Sequence, residues 1–187
     1  FYMVNFYADT YDEATAAPKK ALPWITSANI DAPYEQITIQ ELYDNMLNDI
    51  QEALPYLQST SATPLHPNLG AAYALRARIY LQMGKYDLAL ADAESALGEN
   101  DELYDWTAYY TSYQTQIENP TDYTRTPSPM DYYYVENYYY RHGMTYYSSS
   151  ESSIPVDRAA RFETGDAHFA ARWKLRTVGS DTYYYGM

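Results

Sequence analysis

The chain of 187 residues contains no cysteine, which excludes disulfide bonds, thiolate metal ligands and cysteine nucleophiles within it. No apolar run approaches the ~18 residues of a membrane-spanning helix. Basic residues are also few, since 12 Lys and Arg stand against 25 Asp and Glu, for a formal net charge of −13. Phosphate neutralisation needs clustered cations, so this balance argues against nucleic acid or an anionic membrane surface as a partner.

The motifs of the common enzyme classes are absent from the sequence. The three histidines, His66, His142 and His168, are far apart and have no helical i,i+4 pairing of the kind that binds zinc. No nucleophile elbow, Walker loop or dinucleotide fingerprint is present. Glycosidases use two carboxylates, but with 25 acidic residues any pair can be nominated. We therefore predict no catalytic residue, no metal site and no cofactor.

A helical pattern occupies residues 38–98. Thr38 and Glu41 form a capping box, in which each side chain satisfies a backbone N–H at the start of a helix. Apolar residues then recur at spacings of three and four, which predicts one buried stripe along this helix. The predicted stripe consists of Ile39, Tyr43, Met46, Ile50, Ala53 and Leu57.

Two further helices are predicted to form a hairpin around the short turn at Gly84 and Lys85. Gly84 can take the left-handed conformation that closes a helix, and Gly98 is predicted to end the second helix in the same way. This spacing of aromatic and small residues resembles a tetratricopeptide repeat. We expect burial between the two helices for Tyr73, Ala77, Tyr80, Tyr86, Ala89 and Ala93, and exposure for Asp87, Asp92 and Glu94.

Within this helical block, the run from Ile39 to Leu57 and the run from Ala71 to Tyr86 resemble the SusD/RagB family of outer-membrane nutrient-binding lipoproteins. Residues 1–7 and 156–162 support the resemblance. It implies a mainly α fold, in which a tetratricopeptide-like helical hairpin scaffold carries long irregular, Tyr-rich loops. It also implies a non-enzymatic protein that captures oligosaccharide at the cell surface and passes it to a TonB-dependent SusC-like transporter. The resemblance further implies that a lipid anchor upstream of this segment attaches the protein to the membrane.

Family members are much longer than this chain, so we expect residues 1–187 to form a single partial domain that is not stable by itself. The helical repeat block is residues 38–98, and residues 99–187 form an irregular, loop-rich region on the ligand side. Within that region we expect a short helix in residues 106–113 and an extended or irregular segment at 132–140. The resemblance suggests that residues 167–177 are extended, although the sequence alone would allow a helix there.

Aromatic side chains are the predicted ligand contacts, because a flat ring can stack on the apolar face of a sugar while polar neighbours hold its hydroxyls. The chain has 25 tyrosines, concentrated after the helical block. Packing and a protein interface are the alternative roles for each of them. The candidate binding residues are Trp24, Trp106, Tyr139, Tyr140 and Trp173.

Two other functions stay open at the level of sequence. A tetratricopeptide scaffold would bind a protein segment, and it would require several repeats in tandem where only one is visible. A glycoside hydrolase on a helical scaffold would turn over polysaccharide.

Overall fold

A computed structural model of the chain describes residues 1–29, 31, 33–118, 134–140 and 153–186. The chain divides into two compact units. Unit 1 comprises Phe1–Asp101 with Glu136–Tyr140, and unit 2 comprises Glu102–Val135 and Arg141–Met187. The elements in chain order are α1 Tyr2–Tyr7, β1 Lys20–Pro23, β2 Gln36–Thr38, α2 Ile39–Ala53, a 3-10 turn Leu54–Tyr56, α3 Leu69–Gln82, α4 Tyr86–Glu99, α5 Trp106–Glu118, β3 Ser153–Pro155, α6 Val156–Ala159, α7 Ala167–Arg172, β4 Trp173–Val178 and β5 Asp181–Gly186. None of the helices in the described ranges is both long and apolar enough to cross a membrane.

The mainly helical prediction is confirmed, and α2 begins where the capping box places it. The Glu41 backbone N–H donates to Thr38 Oγ1 at 3.1 Å, and the Thr38 N–H donates to Glu41 Oε2 at 2.7 Å. The bond from the Thr38 N–H, and then the bond that the Thr38 hydroxyl donates to Glu41 Oε2 at 2.9 Å, lower the pKa of Glu41. The buried stripe of α2 consists of Ile39, Leu42, Tyr43, Met46 and Ile50.

The hairpin of α3 and α4 also forms as predicted. Gly84 has φ +71°, and Lys85 N–H returns to the Tyr80 carbonyl at 2.9 Å, which closes the C-terminus of α3. Asn68 caps the start of α3 by accepting from the Ala71 N–H at 2.8 Å. The two helices therefore pack side by side in unit 1.

Three details of the hairpin prediction are wrong. Tyr86 is 68% exposed, because it is the first residue of α4 and lies beyond the end of α3. Gly98 does not end α4, which continues to Glu99. Asp92 is only 6% exposed and lies on the face of α4 that we assigned to small residues. Ala77 and Ala89 are buried as expected, whereas Tyr73, Tyr80 and Ala93 are half-buried.

Asp92 is buried because it pairs with Arg76 across the hairpin. Arg76 Nε lies 2.6 Å from Asp92 Oδ2, and Nη2 lies 2.7 Å from Oδ1, so the guanidinium holds the carboxylate with two bonds. Arg76 Nη1 also donates to Gln51 Oε1 at 2.8 Å. This network ties α3 to α4 and to α2.

The core of unit 1 lies between α2, α3 and the N-terminal segment. Val4 of α1, Ala16 and Ala21 are buried with the stripe of α2 and with Ile79 of α3. Strands β1 and β2 pair antiparallel beside this core. The N-terminal residues therefore form part of the same packed unit as the helical block.

A short strap, residues 136–140, lies on the helical hairpin of unit 1. The Tyr138 hydroxyl shares its one proton between the carbonyl oxygens of Ala96 at 2.9 Å and Asn100 at 2.6 Å, two groups at the C-terminal end of α4. The ring of Tyr138 crosses Gly70 so closely that a Cβ at that position would lie 2.6 Å from Tyr138 Cδ1. Gly70 is therefore required by the close approach of Tyr138.

We expect Gly70→Ala to destabilise the protein by about 1–3 kcal/mol, because the new methyl group overpacks the contact with Tyr138. Gly98→Ala is the matched control, since nothing lies within 4 Å of a Cβ there and Ala is favoured in a helix by about 0.5–1 kcal/mol. Thermal unfolding compares the two. In a protein that already carries Tyr138→Ala, Gly70→Ala should cost much less stability, because the ring it would overpack is gone. A Gly70→Ala protein as stable as Gly98→Ala would contradict the contact.

Unit 2 combines helices with a three-stranded antiparallel sheet in the order β3-β5-β4. Gly179, with φ +63°, lies in the turn that joins β4 to β5. Helix α7 packs against α5. The sheet was not anticipated from the sequence.

The predicted elements of unit 2 have mixed outcomes. The helix expected at 106–113 forms and continues to Glu118, with non-helical φ −117° and ψ 17° at Tyr113. Residues 134–140 are irregular, as expected, whereas Tyr132 and Tyr133 lie outside the described residues. The extended prediction for 167–177 is wrong in its first half. Asp166 accepts from the Phe169 N–H at 2.9 Å and caps α7, so the strand begins only at Trp173.

Candidate ligand-binding groove

The five candidate aromatic residues lie in different surroundings. Trp24 is half-buried against the core of unit 1. Tyr139 is 46% exposed on the strap. Tyr140, next to it, is half-buried, and its backbone N–H donates to the Pro64 carbonyl at 2.7 Å.

Trp106 and Trp173 both belong to unit 2. The ring of Trp106 stacks on His168 with centroids 4.3 Å apart and an angle of 17° between the planes. The Trp106 ring also makes edge-to-face contacts with Tyr104 and Tyr109, with ring centroids 5.1 Å and 5.6 Å apart. Trp106 is therefore a packed member of an aromatic cluster rather than an open platform. Trp173 lies at the wall of a cavity.

This cavity, which we call the groove, has a volume of about 390 Å³, within the range of small-molecule sites. It belongs to unit 2, and the end of α5, helix α7 and strands β4 and β5 form its walls. Trp173 is the one sequence candidate among its described lining residues. These are Tyr110, Ile117, Glu118, Phe169, Ala170, Trp173, Lys174, Leu175 and Tyr184.

The strand pairing positions the aromatic wall. Trp173 and Leu175 are two residues apart on β4 and so lie on the same face of the sheet. Leu175 is paired with Tyr184 across to β5. Phe169 of α7 meets the Tyr184 ring edge to face at 5.0 Å, and α7 leads directly into β4. The wall is therefore built from a strand pair and the helix that precedes it.

The polar side of the groove is organised around the end of α5. Glu118 Oε1 accepts from the Tyr110 hydroxyl at 2.8 Å and from Gln114 Nε2 at 2.9 Å. The bond from Gln114, and then that from Tyr110, lower the pKa of Glu118, while its bond to Glu118 raises the pKa of Tyr110. At neutral pH the groove therefore presents a carboxylate and a protonated phenol.

Among the described lining residues of the groove, Lys174 is the cation. Its Nζ donates to the carbonyl oxygens of Ile117 at 3.2 Å and Glu118 at 2.9 Å. These are the last carbonyls of α5, which carry the partial negative charge of a helix C-terminus. Lys174 thereby fixes β4 to the end of α5 and holds the polar side of the groove beside Trp173.

Sequence reasoning missed most of the groove residues. Tyr110 and Glu118 lie on a helix that we predicted to be shorter, and Phe169 lies on a helix that we predicted to be extended. The alternation Trp173, Leu175 before the turn at Gly179 is the signal that would have found the strand pair. Among the described residues, no group of three or more His, Asp or Glu side chains is placed to hold a metal ion.

Comparisons with known proteins found a matching family model and a solved structure of similar fold. Residues 1–81 match the SusD-like_3 family model, described as "Starch-binding associating with outer membrane". A crystal structure of a SusD superfamily protein from Bacteroides thetaiotaomicron VPI-5482 matches with a TM-score of 0.50 and 24% identity, over 57% of this chain and 24% of that chain. This chain thus spans about a quarter of that protein's length, and the likeness is one of fold. No curated protein sequence matches the chain. The family match lies within unit 1, and the groove lies in unit 2.

Proposed function

We propose that this chain, whose residues 1–81 match the SusD-like_3 family model, is part of a protein that binds glycan at the outer membrane. The family description supplies the class of ligand and the location. The groove of unit 2 supplies a surface of the right chemistry within this chain. Its aromatic wall is the observation that carries the proposal.

The groove suits a sugar ring for physical reasons. A pyranose has an apolar face of C–H groups and a rim of hydroxyls, so it is bound by a flat aromatic ring together with hydrogen-bonding groups. Trp173 and Tyr184 provide the rings, and Glu118 and Tyr110 provide polar atoms at the same cavity. The rings are held by packing and strand pairing, so little conformational entropy is lost when a ligand binds.

We further propose that the protein acts without turnover, and that it delivers oligosaccharide to a TonB-dependent SusC-like transporter while held at the cell surface by a lipid anchor outside this chain. These finer points rest on the match of residues 1–81 to the family model. The hydrolase alternative requires a second carboxylate placed across the sugar from Glu118. A reducing-sugar assay on the same polysaccharides distinguishes the two, because hydrolysis releases new reducing ends and capture does not.

We expect Trp173→Ala and Tyr184→Ala each to weaken oligosaccharide binding by about 1–3 kcal/mol, in line with buried aromatic anchors elsewhere. Isothermal titration of the full-length protein with malto-, cello- and laminari-oligosaccharides measures this. Tyr86→Ala is the matched control, since Tyr86 is exposed and belongs to unit 1. Tyr139→Ala tests the strap candidate in the same series.

Circular dichroism separates loss of binding from loss of folding, and Trp173→Phe should retain part of the affinity. If the full-length protein binds glycan and neither groove variant changes the affinity, the binding site lies outside the groove.

A further inference from the structure

We propose that the groove binds a sugar that carries an acetamido group, an N-acetylated amino sugar, in preference to the plain hexose. This inference rests on the proposed function, because it assigns the class of glycan that the same groove accepts. Two features of the groove carry it. One is a carboxylate and an ammonium that each keep a hydrogen-bonding position for a ligand, and the other is the set of aliphatic side chains beside the aromatic wall.

The Glu118 carboxylate is held in position to accept from a ligand. Its Oε1 accepts from the Tyr110 hydroxyl at 2.8 Å and from Gln114 Nε2 at 2.9 Å. Among the described residues no side chain donates to the other oxygen, Oε2. The carboxylate is therefore fixed by two donors of its own helix and offers its second oxygen to an N–H or O–H group in the groove.

The Lys174 ammonium keeps one donor for a ligand. Of its three N–H groups, two are directed at the carbonyl oxygens of Ile117 and Glu118, at 3.2 and 2.9 Å. No side chain in the described ranges accepts from the third. The ammonium keeps its full charge, so the bond that it donates to a ligand carbonyl is charge-assisted and stronger than a bond between neutral groups.

The side chains of Glu118 and Lys174 lie near each other without forming an ion pair. Lys174 Nζ lies 2.9 Å from the backbone oxygen of Glu118. The bonds from Gln114 and Tyr110, and after them the charge of Lys174, lower the pKa of Glu118. Within the part of the chain that the structure describes, however, no direct ion pair joins the two side chains. An acceptor and a donor that stand apart in this way are complementary to an amide, whose N–H donates and whose C=O accepts in opposite directions.

The aliphatic part of the lining favours an acetamido group over a hydroxyl, which can also donate and accept. Ile117, Ala170 and Leu175 line the same cavity, and their side chains make no hydrogen bonds. A hydroxyl placed against them would lose its bonds to water, whereas the methyl group of an acetamido group gains from burial there. The lining therefore suits a sugar ring in which an acetamido group replaces a hydroxyl.

The test uses the full-length protein and two ligands that differ only at C2 of each sugar. Triacetylchitotriose carries an acetamido group where cellotriose carries a hydroxyl, and both are β-1,4-linked chains of the same ring configuration. We expect the acetylated trimer to bind at least about tenfold more tightly, since one net hydrogen bond to a charged group is worth roughly that factor. Titration calorimetry measures both affinities.

Two variants test whether the groove makes this choice. Glu118→Ala removes the acceptor for the amide N–H, and Leu175→Ala removes part of the surface for the methyl group, so each should bring the ratio of the two affinities towards one. Glu94→Ala and Leu97→Ala are the matched controls, because both residues are exposed on α4 of unit 1, and they should leave the ratio unchanged. Circular dichroism checks that each variant keeps the fold.

The outcomes separate this inference from the proposed function. If cellotriose binds as tightly as the acetylated trimer, or more tightly, the inference is overturned, while a loss of cellotriose affinity in Trp173→Ala still supports the groove as a glycan site. A preference that neither Glu118→Ala nor Leu175→Ala reduces also overturns the inference, because the choice is then made elsewhere in the protein. If neither trimer binds, the inference fails, and the proposed function fails with it only if the malto- and laminari-oligosaccharides do not bind either.

Discussion

Replacing Asp92 by alanine is expected to destabilise the protein by about 3–5 kcal/mol, the usual cost of removing one partner of a buried ion pair. The reason is the charge left behind. Arg76 donates two bonds to Asp92, at 2.6 and 2.7 Å. Without Asp92 its guanidinium stays in a poorly solvated place, where Gln51 is the acceptor that the described residues still offer it. The measurement is denaturant unfolding of the protein and its variant.

Glu94→Ala is the control for this prediction, because Glu94 is exposed on the same helix and should change stability by no more than about 0.5 kcal/mol. A variant in which both Arg76 and Asp92 become leucine should be less destabilised than the sum of the single changes, since no charge is stranded. A cost below about 1 kcal/mol for Asp92→Ala would show that the pair is solvated.

Leu42→Ala is the second change with a large expected effect, about 2–5 kcal/mol of lost stability. Leu42 is only 2% exposed and lies in the stripe of α2 that forms the core of unit 1. Truncation removes apolar contacts and leaves a cavity that neighbouring side chains fill only in part. Denaturant unfolding measures the shift.

The matched control is Leu97→Ala, because Leu97 is of the same residue type and is 58% exposed on α4. We expect it to change stability by no more than about 0.5 kcal/mol. If the two leucine variants are equally destabilised, Leu42 does not lie in the core and the register of α2 is wrong.

The groove could be predicted from the sequence only in small part. Trp173 was identified because a tryptophan offers the largest stacking face. Trp106 was chosen by the same rule, yet its face is covered by His168 at 4.3 Å. Composition ranks residue types for a role, but it does not say which ring remains uncovered, since that depends on neighbours far away in the sequence.

The helical block shows which structural features the sequence pattern predicts correctly and which it does not. The capping box at Thr38 and the turn at Gly84 were predicted correctly, because each depends on contacts within about five residues. The buried position of Asp92 was missed. A periodic pattern assigns charged residues to the solvent face, and the exception arises only because Arg76, 16 residues earlier, reaches across the hairpin.

The sequence by itself determined the mainly helical fold, the start of α2, the turn between α3 and α4 and the likeness to the SusD/RagB family, since these follow from local spacing and from recognisable runs of residues. Tertiary structure alone decided which aromatic residues line a cavity and which polar groups face them. Lys174 meets the carbonyl of Glu118 across 56 positions of chain, and the groove exists only because the hairpin of β4 and β5 brings Trp173 and Tyr184 to the end of α5. Such contacts depend on how distant elements pack, and no local pattern encodes them.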